Sequence, residues 1–196
     1  MEDRNFVIGI TGPSGAGKTT LLNLIREKGG LVLDCDKIYH ELLISDRDML
    51  RALEARFPGV FRDGRLDRKA LGAIVFSDPG ALKDLNAITH GAVKREVLRQ
   101  LETAPKLAAI DAIALFEGGL GPLCDVTVAV TAPPEIRIKR LMARDGICED
   151  YARSRVAAQH TDDWFRRRCH RVLTNDMDLD AFATKCLAFL SDFGIM

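Results

Sequence analysis

The chain has 196 residues, 47% of them apolar and 29% charged, which suits one core-forming α/β domain. Lysine plus arginine and aspartate plus glutamate number 28 each, so the formal net charge is zero. That balance argues against a nucleic-acid binder, whose affinity rests on neutralising phosphates, and no apolar run is long enough to span a bilayer.

The first residues, Met1-Glu2-Asp3-Arg4-Asn5, are polar and acidic rather than signal-like. The apolar run Phe6-Val7-Ile8-Gly9-Ile10 predicts a buried strand over 6–11. Gly12-Pro13-Ser14-Gly15-Ala16-Gly17-Lys18-Thr19 follows at once, and Leu21-Leu22-Asn23-Leu24-Ile25 predicts a helix over 18–28, stopped by Gly29-Gly30. Leu31-Val32-Leu33 reads as a short strand closed by Asp34-Cys35-Asp36, and a helix then carries Ile38, Leu42 and Leu43. From Ser45 to about Pro105 strand signals vanish. Met49, Leu50, Leu53 and Phe57 keep helical spacing, 57–66 reads as a loop or short hairpin, and Asp67–Phe76 and Gly80–Glu102 read as helices.

Strands resume at Leu107–Ile113 and Val126–Val130. Ala132-Pro133-Pro134 opens a helix that runs to Asp145-Gly146. A further helix is predicted over 149–168, a short strand over Arg171–Thr174, and a last helix with Leu179, Phe182, Cys186, Leu190 and Phe193 on one face. Strands alternating with helices imply a parallel sheet of about five strands flanked by helices. The glycine-rich, Lys-Thr-ended loop at 12–19 between the first strand and helix makes the expected fold that of the phosphate-loop NTPases. The expected organisation is a single domain whose core spans 1–45 and 106–196, with a helical acceptor-binding insertion at about 46–105 and a lid at about 140–168. Five scattered cysteines without a C-x-x-C pair indicate neither a zinc site nor a disulfide framework, and suit a reducing cytoplasm. Nothing in the pattern specifies an oligomeric state.

The segment 12–19 is G-x-x-x-x-G-K-[ST] in its required setting, between a buried strand and a helix. A glycine-rich loop lets successive backbone N–H groups wrap an anion, and the helix adds its unpaired amides and positive dipole end. Gly12, Pro13, Ser14, Gly15, Ala16, Gly17, Lys18, Thr19 and Thr20 are therefore expected to hold a nucleoside triphosphate. Lys18 would bridge the β- and γ-phosphates, and the Thr19 hydroxyl would ligand Mg2+. A turn that merely needed glycines is the plain alternative, against which stand Gly9, Gly12, Gly15 and Gly17 with Lys-Thr at the right offset.

Asp34 and Asp36 stand at the carboxyl end of the second strand, where open parallel sheets gather their ligands. Alternation would point both at the site, one as a general base and the other capping the next helix. Arg137, Arg140 and Arg144 fall at i, i+3 and i+7, one helical face suited to clamping phosphoryl oxygens, with a solvated face as the alternative. Arg166-Arg167-Arg168 fits either a nucleotide pocket or an exposed helix end. Asp111 and Glu117 bracket the end of the third strand, where a carboxylate commonly orients the metal's water shell; spacing does not separate them. His90 lies among apolar residues and by itself reads as a packed histidine.

With these residues in place, the chain resembles the dephospho-coenzyme A kinase family from its first strand to about Asn175. Gly9-Ile10-Thr11-Gly12 leads into the loop, and Asp34-Cys35-Asp36 matches the family's Asp-Ala-Asp, whose second aspartate is the base. Asp63-Gly64-Arg65-Leu66-Asp67-Arg68-Lys69-Ala70-Leu71, Leu85-Asn86-Ala87-Ile88-Thr89-His90 and Arg140-Leu141-Met142-Ala143-Arg144-Asp145-Gly146 follow in order, then Gln159 and Val172-Leu173-Thr174-Asn175. The departures are Gly91 for a proline, Ile113-Ala114 for Pro-Leu, Cys169-His170 for Ala-Asp, and Asp176 without a following glycine.

The resemblance implies an ATP- and Mg2+-dependent enzyme that phosphorylates the ribose 3′-hydroxyl of dephospho-coenzyme A. It implies Asp36 as base, Lys18, Arg140 and Arg144 in catalysis, Asn175 beside the adenine, and Asp36, Arg68, His90 and Glu117 at the acceptor, with Thr19 and Asp111 serving the metal. The partner is then a small-molecule substrate, not nucleic acid or membrane. Another small-acceptor kinase, for nucleosides or nucleotides, would share the loop, aspartate and lid. A slowly hydrolysing nucleotide switch is a third reading, opposed by the arginine-bearing lid and the lack of an Asn-Lys-x-Asp motif.

Overall fold

A computed structural model describes residues 5–62 and 64–195. The opening segment Met1–Arg4, Asp63 of the family motif and Met196 lie outside the described residues. The chain divides into two compact units, one of residues 1–33, 104–115 and 120–196, the other of residues 34–103 and 116–119.

In the first unit the main sheet comprises β1 (Phe6–Thr11), β2 (Leu31–Asp34), β5 (Leu107–Asp111), β6 (Val126–Thr131) and β7 (Arg171–Thr174), ordered β2-β5-β1-β6-β7. The pairings of β1 with β5 and β6, and of β6 with β7, are parallel. Both faces of a parallel sheet are covered, so its strands read as continuous apolar runs rather than alternating ones. β6 is buried along its whole length, and β1 everywhere except its first residue. Helix α1 (Lys18–Glu27) and helix α9 (Leu179–Ser191) supply Leu21, Leu22, Ile25, Phe182, Cys186, Phe189 and Leu190 to a core shared with Ile8, Ile10, Val128 and Val130. The five-stranded parallel sheet flanked by helices is the expected phosphate-loop fold.

Helix α6 (Pro134–Asp145) and helix α7 (Glu149–Ala157) form a hairpin sealed by Ile138, Leu141 and Ala152, with Met142, Ile147 and Val156 against them. Arg153 donates to both carboxylate oxygens of Glu135, at 2.9 and 3.1 Å, and Arg155 donates to Asp145 at 2.7 Å. The helix predicted over 149–168 is broken: α7 ends at Ala157, and α8 (Asp162–Arg168) restarts after Gln159-His160-Thr161. Thr161 marks the restart, because its hydroxyl accepts from the Trp164 amide as an N-cap. The strand predicted over 107–113 is also shorter, ending at Asp111. Beyond that point the Ala112 amide still bonds the Ile10 carbonyl, and Thr11 Oγ1 donates to the Ile113 carbonyl at 3.2 Å.

The second unit contains α2 (Cys35–Ser45), α3 (Arg47–Arg56), α4 (Arg68–Ser77) and α5 (Pro79–Leu101). Between α3 and α4 the segment 57–66 forms a hairpin, β3 (Phe61–Arg62) against antiparallel β4 (Arg65–Leu66). Aspartates start all four helices: Asp34, Asp46, Asp67 and Asp78 each accept from backbone amides of the first turn. Met49, Leu53, Phe57, Val60, Leu71, Val75, Ala81 and Ala92 make a separate core. α5 runs uninterrupted through Gly91, where an added Cβ would meet nothing closer than Arg95, at 3.9 Å.

Candidate active site

The phosphate loop springs from the buried end of β1. Gly12 has φ +132°, and a Cβ there would stand 2.0 Å from the Val130 carbonyl oxygen, so no other residue fits beside β6. Gly17, with φ +96°, is the N-cap of α1; it offers no side-chain cap, and the first turn carries no acidic residue. No side chain of the cap or first turn therefore competes with an external anion at this end of α1, the setting of an N-terminal phosphate site, although the Thr20 amide bonds the Gly17 carbonyl at 3.2 Å. Lys18 folds back over the loop, its Nζ donating to the Gly12 carbonyl at 3.0 Å. Thr19 is exposed and Thr20 half-buried on the same first turn.

The outside of the loop is held by its carbonyls. Arg137 Nε donates to the Ser14 carbonyl at 3.1 Å. Arg140 Nη1 reaches the Gly15 and Ala16 carbonyls at 3.4 and 3.3 Å, and Asn175 Nδ2 donates to Ala16 at 2.9 Å. In a trans peptide the C=O and the next N–H point in opposite directions. Drawing Ser14 and Ala16 carbonyls toward α6 and Asn175 thus turns the Gly15 and Gly17 amides the other way, the arrangement of a backbone anion nest. Arg140 Nη2 also donates to Asn175 Oδ1 at 3.2 Å, closing the brace.

The expected three-arginine face separates into three environments. Arg137 is 4% exposed and buried with Ile138 and Leu141. Burial pushes its guanidinium down from the ordinary value, with the Asp162 carboxylate opposing. It touches Ser14 and Gln159, so it braces the loop rather than facing solvent. Arg140 is half-buried against the loop. Arg144 is exposed and held by its neighbour Asp145, Nε to Oδ1 at 2.6 Å. Arg166, Arg167 and Arg168 form the exposed last turn of α8, with Arg168 4.4 Å over the Trp164 ring.

Two side chains carry more of this site than their sequence context signals. Arg137 lies where the arginine stripe of α6 overlaps its buried stripe, and that overlap is its one sequence sign. Gln159 lies just beyond α7 and bonds Ser14 twice; it is among the residues that carry the family resemblance, but nothing in its spacing signals the contact with the loop. The departure Cys169-His170 also has a structural use: His170 Nδ1 accepts from the Thr127 amide at 3.0 Å, tying the start of β7 to β6.

Asp111 ends β5 opposite Ile10, one residue short of the loop on the neighbouring strand, and its Oδ1 is shut off from solvent. Among the described residues no three His, Cys, Asp or Glu side chains cluster as a metal site. A divalent ion would then be held by one or two protein oxygens together with phosphate oxygens. That is the habit of Mg2+, and the hard oxygens of Thr19 and Asp111 fit it.

Within the second unit, the strand alternation expected to align Asp34 and Asp36 does not apply, because β2 ends at Asp34 and α2 begins at Cys35. Asp34 is the cap, accepting from the Lys37 amide at 3.0 Å, while Asp36 is exposed in the first turn of α2. Arg68 opens α4 and is exposed; its charge is felt by Tyr39, whose hydroxyl burial pushes up. A cavity of about 490 Å³ is walled by Leu43, Ile44, Leu50, Leu66, Arg65 and Arg68. His90 is half-buried in α5, and Glu117 is exposed.

The family model for dephospho-CoA kinase matches residues 6–181 of this sequence. The chain belongs to the dephospho-CoA kinase family. A curated relative from Moorella thermoacetica, named dephospho-CoA kinase, is 39% identical over 183 residues, covering 90% of this chain and 86% of that protein. The solved structure of TT1252 from Thermus thermophilus superposes with a TM-score of 0.81 at 35% identity, covering 96% of this chain and 98% of that one. Shikimate kinase from Bacteroides thetaiotaomicron, 15% identical with a TM-score of 0.54 over 95% of this chain and 98% of that one, shares the fold.

Proposed function

We propose that the chain transfers the terminal phosphoryl group of ATP to the ribose 3′-hydroxyl of dephospho-coenzyme A, giving coenzyme A and ADP, the last step of coenzyme A biosynthesis. The observation that carries this is the match of the dephospho-CoA kinase family model over residues 6–181, a span that includes the braced phosphate loop.

In this reading the loop 12–20, through amides such as those of Gly15 and Gly17, holds the triphosphate together with Lys18, and Asn175 lies by the adenine. Asp36 accepts the proton of the attacking hydroxyl; Lys18, Arg140 and Arg144 offset charge on the group in transit. Thr19 and Asp111 would hold magnesium, which when bound would supply neutralisation of the phosphate oxygens. Phosphoryl transfer asks little covalent work of a protein, so alignment and electrostatics carry the rate. Residues 46–105 serve as the acceptor-binding insertion, where Arg68, His90 and the arginine-and-leucine cavity at α4 suit a ligand with both anionic and apolar parts; Glu117 joins them. Residues 140–168 serve as the lid over the core 1–45 and 106–196. The substrate is a small molecule, the setting is the cytoplasm, and no described helix is long and apolar enough to cross a membrane.

ADP formation measured with a panel of acceptors tests the reading. Stimulation by dephospho-coenzyme A alone is expected. Stimulation by a nucleoside or nucleotide instead would transfer the chain to another kinase activity, and ADP release indifferent to any acceptor would make it a hydrolytic switch.

A further inference from the structure

All three polar groups of Ser14 are engaged by the base of the α6–α7 hairpin. The Ser14 amide donates to Gln159 Oε1 at 3.1 Å, and Gln159 Nε2 donates to Ser14 Oγ at 3.0 Å. Arg137 Nε donates to the Ser14 carbonyl at 3.1 Å, and Arg137 Nη2 donates to the same Gln159 Oε1. The amide orientation of Gln159 follows from these bonds, since a flipped side chain would set its NH2 against two donors. The two grips come from opposite ends of the hairpin, one in α6 and one just past α7, and the core of Ile138, Leu141 and Ala152 joins them.

We infer that Gln159 is a positioning residue for ATP, setting the conformation of the phosphate loop through Ser14. Gln159 satisfies the Ser14 amide and presents Oε1 to Arg137; Arg137 in turn holds the Ser14 carbonyl, and the planar peptide then fixes the direction of the Gly15 amide. Removing the glutamine releases one side of the nest, so nucleotide binding weakens while the second unit keeps its affinity for the acceptor. The inference rests on the phosphate loop being the ATP site.

Gln159→Met keeps the length and removes the hydrogen bonds, whereas Gln159→Glu keeps two acceptors for the Ser14 amide, the Ser14 hydroxyl and Arg137. Calorimetric titration with Mg-ATP is expected to give a Kd about tenfold weaker for Gln159→Met, the loss of one to two hydrogen bonds. Gln159→Glu is expected within about threefold of wild type, and the KM for dephospho-coenzyme A within about twofold in both variants. Ser14→Ala, which deletes one contact at a half-buried side chain, is expected to weaken ATP slightly in the wild type and not at all on top of Gln159→Met. Wild-type protein that takes up no Mg-ATP overturns the phosphate-site reading and this inference with it. Normal wild-type uptake with an unchanged Gln159→Met overturns the inference alone. A parallel rise in both substrate constants, or no recovery in Gln159→Glu, assigns Gln159 to general stability instead. Should Gln159→Met fail to fold, Gln159→Ala takes its place, and a Kd for Mg-ATP unchanged in that variant overturns it.

Discussion

Asn175 is joined to Ala16 by a buried hydrogen bond, Nδ2 to the carbonyl oxygen at 2.9 Å, across 159 residues of sequence. The bond links the end of β7 to the phosphate loop, and Asn175 is itself 5% exposed. Asn175→Ala removes the shorter of the two side-chain bonds to the Ala16 carbonyl and the Oδ1 that accepts from Arg140, together a cost of about 1–3 kcal/mol. At about 2–4 °C per kcal/mol for a chain of this size, thermal melting should show a loss of several degrees together with weaker ATP binding. An unchanged Tm and ATP affinity would remove Asn175 from the loop's support. Gly17→Ala is the companion change, because its Cβ would lie 2.3 Å from Asn175 Nδ2 at φ +96°, and it should abolish ATP binding.

Arg140 and Arg144 should fail differently. Arg140 touches Gly15, Ala16 and Asn175, so Arg140→Ala should raise the KM for ATP and lower the Tm. Arg144 is exposed and meets Asp145, so Arg144→Ala should shift the Tm by about 1–2 °C at most, as surface changes do. Its kcat should nevertheless fall on the order of a hundredfold if its guanidinium stabilises the transferring group. Steady-state kinetics beside melting curves separates the two, and an Arg144→Ala enzyme with normal kcat would reduce that residue to a surface ion pair.

Asp145 gives the lid hairpin a pH signature. The Arg144 guanidinium, with Arg155 behind it, holds its carboxyl down to about 2, below the usual carboxylate value. The folded-state value is the lower one, so the stabilisation is fully present above the unfolded value near about 3.9. It declines as the pH falls from there toward about 2. Melting curves of wild type and Asp145→Asn should therefore differ at pH 7 and converge across that acid window. A gap that persists unchanged below pH 3 would contradict the ion-pair account.

Much of this was legible in the sequence, for reasons that differ by element. The loop was readable because Gly12 and Gly17 are dictated by backbone contacts that no larger residue can meet, and the core strands because burial on both faces leaves apolar runs. The break at Gln159-His160-Thr161 was not, since residues 149–168 keep helical composition and only the Thr161 cap marks the restart. Arg137 was misplaced because charge suggested exposure, while its partners, Ser14 and Gln159, lie 123 and 22 residues away. Contacts of that range leave no periodic trace. Asp34 and Asp36 were aligned by strand alternation that the chain abandons at Cys35.

Asp36 should be separable from nucleotide binding. Asp36→Asn keeps shape and removes the acceptor of the hydroxyl proton, so calorimetric ATP affinity should stay within about twofold while turnover falls at least about a hundredfold. Turnover close to wild type would exclude Asp36 as the base.

Phosphorus NMR of the reaction of this chain with Mg-ATP and dephospho-coenzyme A reads the central claim directly. The account requires a new phosphomonoester signal coupled to the ribose 3′ proton, growing in step with ADP. Inorganic phosphate in its place, or a phosphoester at another position, would contradict it.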